Sequence, residues 1–239
     1  MRKNIILRIA MFLLINTILL KADSNGPGRL NDIIQDSIQQ QSNTKNIGHP
    51  SKTVAVKPFY IYRDANSHDN HFKPSGYMGD CGDVTINEAC TVNPHAGKTC
   101  IKIICETKGK GPNECPDNPP CRWAGLYWLQ PAENWGRIPA WKDEGYNLSA
   151  YNRLTFWAKA DKACVIEFRV AGLHEPYGDS QKTPKTLLAQ LSAKWAKYTI
   201  DLKDCNLTNI IGGFCWMSHW DTNPTGAIFY LDDIRFEKD

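Results

Sequence analysis

The chain predicts an all-β fold, a sandwich or barrel, on three observations. From Phe59 to the C-terminus it reads as ten short runs rich in β-branched and aromatic residues. Clusters of Gly, Pro, Asn and Asp separate the runs, and no segment after residue 60 holds a long helical period. The strands are expected at 59–63, 84–86, 99–106, 123–129, 153–159, 164–170, 187–191, 196–202, 210–217 and 227–236. The turns between them include KPSGYMGDCGD, KGKGPNECPDNPP, HEPYGDSQKTP and DTNPTG.

Two segments precede this domain, which is expected over residues 58–239. Residues 1–22 read as a signal peptide: Arg2, Lys3 and Arg8, an apolar stretch from Ile9 to Leu20, then Lys21 and Ala22 at a cleavage point. That stretch falls short of the ~20 residues that span a bilayer, so a secreted, periplasmic or extracellular chain with no membrane attachment after cleavage is expected. Residues 23–57 form a polar linker rich in Gln, Asn, Ser and Lys. Leu30, Ile33, Ile34 and Ile38 give it the spacing of one short helix.

Composition narrows the function. A net charge of +3, with Lys and Arg mixed among Asp and Glu, leaves no basic stripe for nucleic acid. Nine cysteines, six of them between Cys81 and Cys121, fit an exported chain with disulfides. Spacing leaves the connectivity open; Cys115 with Cys121, flanking PDNPP, is the pairing expected first. No C-x-x-C pair favours zinc.

Alternation assigns faces. In CVIEFRV, Cys164, Ile166, Phe168 and Val170 point to the core, with Glu167 and Arg169 together on the wetter face. In KYTIDL, Tyr198, Ile200 and Leu202 point inward. In AIFYLDDIRFE, Ile228, Tyr230, Asp232, Ile234 and Phe236 share one face, so Asp232 interrupts an apolar row. A buried carboxylate must neutralise, meet a cation or accept several hydrogen bonds. Two outcomes stay open: a structural calcium ion held by Asp232 and Asp64, or a hydrogen-bonded aspartate without metal.

Several segments together resemble the β-sandwich carbohydrate-binding modules of secreted polysaccharide-degrading systems. They are PSGYMGD (74–80), NPHAGKTCIKI (93–103), WAGLYWLQPAENWG (123–136), GYNLSAYNRLTFWAKAD (145–161), IEFRVAG (166–172), WAKYTIDL (195–202), IIGGFCW (210–216) and FYLDDIRFE (229–237). The resemblance covers about three quarters of the chain. It implies a jelly-roll β-sandwich of two antiparallel sheets, galactose-binding-like, that binds a polysaccharide or glycan, often with a structural calcium. Other polysaccharide-degrading proteins are implied partners. Cysteine crowding between residues 81 and 121 departs from that pattern.

Sugars are bound by laying an aromatic ring on the C–H face and meeting the hydroxyl edge with planar polar groups. The candidate ligand residues are Trp128, Tyr127, Trp123, Trp135 and Trp216, with Glu167, Arg169 and Asp179 on the hydroxyls. On the 123–129 strand, Trp123 and Tyr127 share one face with Gly125, and Trp128 shares the other with Leu126. Alternation does not say which face is core. Trp141, Trp220 and His219 are further rim candidates. Asp80, Asp83, Glu133 and Glu167 supply carboxylates for a hydrolase, yet no spacing singles out a catalytic pair. HDNH at 68–71 reads as an exposed turn. A non-catalytic binder is expected, against a polysaccharide hydrolase or lyase on the same sandwich and a surface adhesion protein.

Overall fold

The computed structural model describes residues 56–111 and 120–239. The expected signal peptide, nearly all of the linker and Cys115 with its expected pairing lie outside these residues. The strands are β1 Phe59–Tyr62, β2 Lys73–Gly79, β3 Val84–Cys90, β4 Cys100–Cys105, β5 Trp123–Leu129, β6 Arg153–Ala160, β7 Cys164–Val170, β8 Lys185–Leu191, β9 Ala196–Asp201, β10 Gly212–His219 and β11 Ala227–Glu237. Helix among the described residues is confined to two 3-10 turns, Cys81–Asp83 and Pro139–Trp141.

Two antiparallel sheets form, as expected. One has five strands in the order β2-β5-β10-β7-β8; the other has six, in the order β3-β4-β11-β6-β9, with β1 also on β11. The length of β11 explains this branch. One flank pairs with β4 over Ala227–Leu231 and with β1 over Ile234–Phe236, while the opposite flank pairs with β6.

The core lies between the sheets. Phe156 of β6 meets Phe168 and Phe214 at ring-centroid distances of 4.6 and 5.2 Å, and Trp216 of β10 meets Phe229 of β11 edge-on at 5.2 Å. Each such side chain contributes about 2–3 kcal/mol by leaving water. Trp128 and Trp216 are the largest sealed side chains, and neither indole N–H finds a partner. Those two orphan donors each cost about 1–3 kcal/mol against the area that the rings bury.

Two local readings change. Lys73–Gly79 is a strand, not a turn. Its Pro and Gly content marked it as a loop, but it runs along the edge of the five-stranded sheet with a register shift between Pro74 and Gly76, where proline is tolerated. In β11 a register shift falls between Asp232 and Arg235, and Asp233 takes a φ of 48°. The extra residue flips the alternation. Ile234 and Phe236 therefore join Phe229 and Leu231 in the core, and not Tyr230 and Asp232.

Buried aspartates pin the loops by accepting backbone N–H groups. Asp80 takes Cys121 and Arg122, and Asp83 takes Lys108, Gly109 and Lys110. Both are among the carboxylates that the sequence offers to a hydrolase, and both are buried and engaged in this way.

Candidate functional site

β5 divides its aromatic residues between two environments. Ala124, Leu126 and Trp128 enter the core between the sheets, whereas Tyr127 and Leu129 face outward into a second apolar cluster that Trp123 and Trp135 adjoin. Trp128, the first candidate for a sugar platform, is therefore corrected to a core residue at 0% exposure. Trp216 is corrected likewise. It sits opposite Leu126 on β10 and shares its inward face.

The outer face is built in rows across the five-stranded sheet. Trp123 stands opposite His219; Gly125 opposite Met217, which faces Glu167; Tyr127 opposite Cys215, which faces Arg169. The space above Gly125 is filled by Met78 and Met217. Tyr127 is almost fully buried, and its hydroxyl donates to the Ala171 carbonyl at 3.0 Å. Its place in the platform is thus corrected to that of a support. Trp135 rests edge-on against it at 6.2 Å.

A cleft of about 490 Å³ opens at this face, lined by Tyr77, Met78, Gly79, Trp123, Trp135 and Arg137 among others. Both indoles are half-buried. The edge strand β2 reaches Trp123 because residue 79 is glycine. Its φ is +63°, and a Cβ there would stand 2.3 Å from the Trp123 carbonyl oxygen. The loop after β5 carries Trp135 and Arg137 back over the face. It is held by the Tyr177 N–H donating to the Gly136 carbonyl at 2.9 Å and by the Arg137 guanidinium at 3.0 Å from Glu175.

Polar groups fixed in place border the rings. Arg169 Nε donates to Glu167 Oε1 at 2.5 Å, and His219 Nε2 lies 3.6 Å from Glu167 Oε2. Glu167 and Arg169 are thus adjacent on the open face, as alternation predicts. The His219 ring tilts over Trp123 at 6.3 Å. Arg137 and Glu175 escaped the sequence reading. The only signal is a charged residue two positions after Trp135, and Glu175 comes from a separate loop.

Asp179 is corrected from ligand contact to positioning residue. It is fully buried, with Oδ1 accepting the Ile211 and Gly212 N–H groups and Oδ2 the Leu173 N–H, at 2.8–2.9 Å. Burial pushes its carboxyl up to about 6, against the pull of those donors. It thereby anchors the 173–180 loop on which the Trp135 segment rests.

Asp232 and Asp64 grip the two ends of one loop. Asp232 Oδ2 accepts the N–H groups of His95 and Ala96, and its Oδ1 that of Asp233. Asp64 Oδ1 accepts the N–H groups of Lys98 and Thr99. Calcium requires six to eight oxygen ligands, while here donors surround the carboxylates. The residues present do not fit a calcium cage, and among the described residues no group of three or more His, Cys, Asp or Glu side chains is placed to hold a metal.

The remaining candidates scatter. Trp220 lies 5.3 Å from the Arg122 guanidinium, and Trp141 sits in the Pro139–Trp141 turn. Of the HDNH turn, His71 stacks on Phe59 at 3.9 Å with Nδ1 at 3.0 Å from the Tyr60 carbonyl oxygen, and Asp69 pairs with exposed Arg63.

No protein-family model matches the chain, and no curated protein matches it either. Among solved structures the chain is similar to a family 30 carbohydrate-binding module, at 15% identity and a TM-score of 0.49 over 77% of this chain and 89% of that one. It is similar to the family 30 module of a cellulosomal cellulase of Clostridium thermocellum at 14% and 0.49, over 77% and 99% of the two chains. It is also similar to a xylan-binding domain from Paenibacillus barcinonensis, at 14% and 0.37 over 71% and 93%.

Proposed function

We propose that this chain is an exported, non-catalytic carbohydrate-binding protein that stacks sugar rings on Trp123 and Trp135. The carrying observation is the cleft on the five-stranded sheet, where two half-buried indoles stand beside the Arg137 guanidinium. A pyranose lays its C–H face on an indole and leaves its hydroxyls at the ring edge. Arg137 in the cleft wall, paired with Glu175, and Arg169 with Glu167 and His219 on the same sheet face, offer donors and acceptors for them.

Each arginine at this face is matched by a carboxylate, so these pairs carry no surplus charge. That favours an uncharged polysaccharide over a uronate-rich one. Export rests on residues 1–22, and association with polysaccharide-degrading proteins rests on the sequence resemblance.

Affinity electrophoresis against a panel of neutral and uronate-containing polysaccharides, with reducing ends assayed in parallel, tests the reading. Retardation by a neutral glycan without release of reducing ends is expected. Release of reducing ends supports the hydrolase reading instead. Absence of retardation across the panel, with binding to a protein surface that survives deglycosylation, supports the adhesion reading.

A further inference from the structure

β3 and β4 set two thiols opposite one another. Cys90 is the ladder partner of Cys100, just after a register shift between Asn87 and Cys90. Along β4, Ile101, Ile103 and Cys105 enter the core between the sheets, which leaves Cys100 on the outer side. Cys90 and Cys100, 4% and 0% exposed, pack there with Tyr230, and Trp195 lies against the cluster. Opposed residues of an antiparallel pair have Cα atoms about 4.5–5.5 Å apart, within the span of a disulfide. Both side chains are thiols here and within hydrogen-bonding contact of each other. Cys105 and Cys164 belong to the inner core and Cys215 to the outer cluster of the other sheet, so none competes.

The segment between the two cysteines has a structural task. The Asn93 carbonyl accepts the Trp195 indole N–H at 3.1 Å and Lys159 Nζ at 3.3 Å, and His95 stacks on Trp157 at 3.7 Å. Asp232 grips its middle through His95 and Ala96, and Asp64 grips its C-terminal end through Lys98 and Thr99. At its base the backbone ladder joins Cys90 to Cys100, and Thr99, beside Cys100, is further held by Asp64.

We propose that Cys90 and Cys100 are a disulfide-forming pair that closes the 91–99 loop. Exchange with a small-molecule disulfide such as oxidised glutathione forms the Sγ–Sγ bond. The two cysteines lose two electrons and two protons, and the oxidant departs as two thiols. Burial first, and then neighbouring Cys90 and Asp232, pushes the Cys100 thiol up to about 12. The thiolate is the nucleophile in exchange, so the buried pair exchanges slowly once folded. The bond therefore forms during folding and serves as a staple, not as a cycling redox couple.

Peptide mapping tests this on the full chain made in an oxidising compartment, or refolded in a glutathione redox buffer. The chain is alkylated in denaturant without reductant and then cut with trypsin and a glutamate-specific protease. Cleavage at Glu88, Lys98 and Lys102 separates Cys90 from Cys81 and isolates residues 89–98 and 99–102. A linked 89–98/99–102 species is expected, two hydrogens lighter than the sum of its parts. Alkylation of both cysteines, or linkage of either to a third, overturns the proposal. The double variant Cys90→Ser/Cys100→Ser gives a second readout. Reductant should lower the wild-type Tm by about 5–10 °C more than it lowers the variant's; an equal response in both overturns the proposal. Should the variant fail to fold, the peptide map decides alone.

Discussion

The two outer faces of the sandwich use the same residue types and reach opposite ends. On the six-stranded sheet, Trp157 is covered by His95, Trp195 is bonded to Asn93, and Lys159 Nζ lies 5.0 Å from the Trp195 ring centroid and 4.7 Å from that of Tyr230. The 91–99 loop folds back and gives those rings partners of its own, while Trp157 and Trp195 stay half-buried, as Trp123 and Trp135 are. On the five-stranded sheet, the loop after β5 adds Trp135 and Arg137 beside Trp123 and leaves a cleft. Aromatic count does not distinguish these faces. What decides is whether a returning loop satisfies the rings or only frames them.

The contrast breaks most visibly within β5. Trp128→Ala removes a fully buried indole and should cost about 3–5 kcal/mol of stability, read as a large fall in Tm or failure to express. Trp123→Ala, five residues earlier and on the other face, should leave Tm within a few degrees. Equal Tm losses for the two would mean that the outward ring is structural as well.

The next effect lies in binding. Trp123→Ala and Trp135→Ala should each weaken glycan affinity by about 1–3 kcal/mol, or roughly ten- to a hundredfold, as for an aromatic anchor. Trp157→Ala and Trp195→Ala should leave affinity unchanged. Titration calorimetry with a retarding polysaccharide measures all four. Loss of affinity in the Trp157 or Trp195 variants alone would move the site to the six-stranded face.

Much of this was legible before the fold was known. The two-sheet sandwich, nearly all strand positions, the inward set of β7 and the pairing of Glu167 with Arg169 follow from alternation and turn residues. What escaped has physical causes. β2 reads as a turn because Pro74, Gly76 and Gly79 are tolerated at a sheet edge that sequence does not identify. The bulge in β11 shifts the period by one residue without leaving a compositional mark, so Ile234 and Phe236 appeared on the wrong face. Which face of β5 is core depends on β10 lying beside it and β6 and β11 lying across, a tertiary fact. Asp179 looked like a loop carboxylate free for a ligand, and only its three backbone donors reveal its task.

A smaller effect concerns pH. Asp179 and Asp232 both have carboxyls pushed to about 6 by burial, from an ordinary value of 3.8. Between those values the folded chain binds protons more tightly than the unfolded one. Their contribution to stability is therefore complete below about pH 4 and is lost as pH rises through about 6. Asp64 and Glu237, whose carboxyls are lowered, act oppositely only below their ordinary range. Tm should thus be a few degrees higher at pH 5 than at pH 7.5, and Asp232→Asn should flatten that slope. A rise in Tm from pH 5 to 7.5 would contradict the assignment.

The smallest effect expected is that of a chelator, and it bears on the loop that closes the six-stranded face. Asp232 and Asp64 meet five backbone N–H groups between them, from His95, Ala96, Asp233, Lys98 and Thr99. A cation that binds the folded state stabilises it by mass action, and removing it lowers Tm. A cation at Asp232 Oδ2 or Asp64 Oδ1 would first have to displace the N–H groups bound there. Excess EDTA should therefore shift Tm by less than about 1 °C, with glycan retardation unchanged. A larger fall, reversed by calcium alone, would mean that the loop is held by metal and that the amide pattern around Asp232 and Asp64 describes a different state of this face.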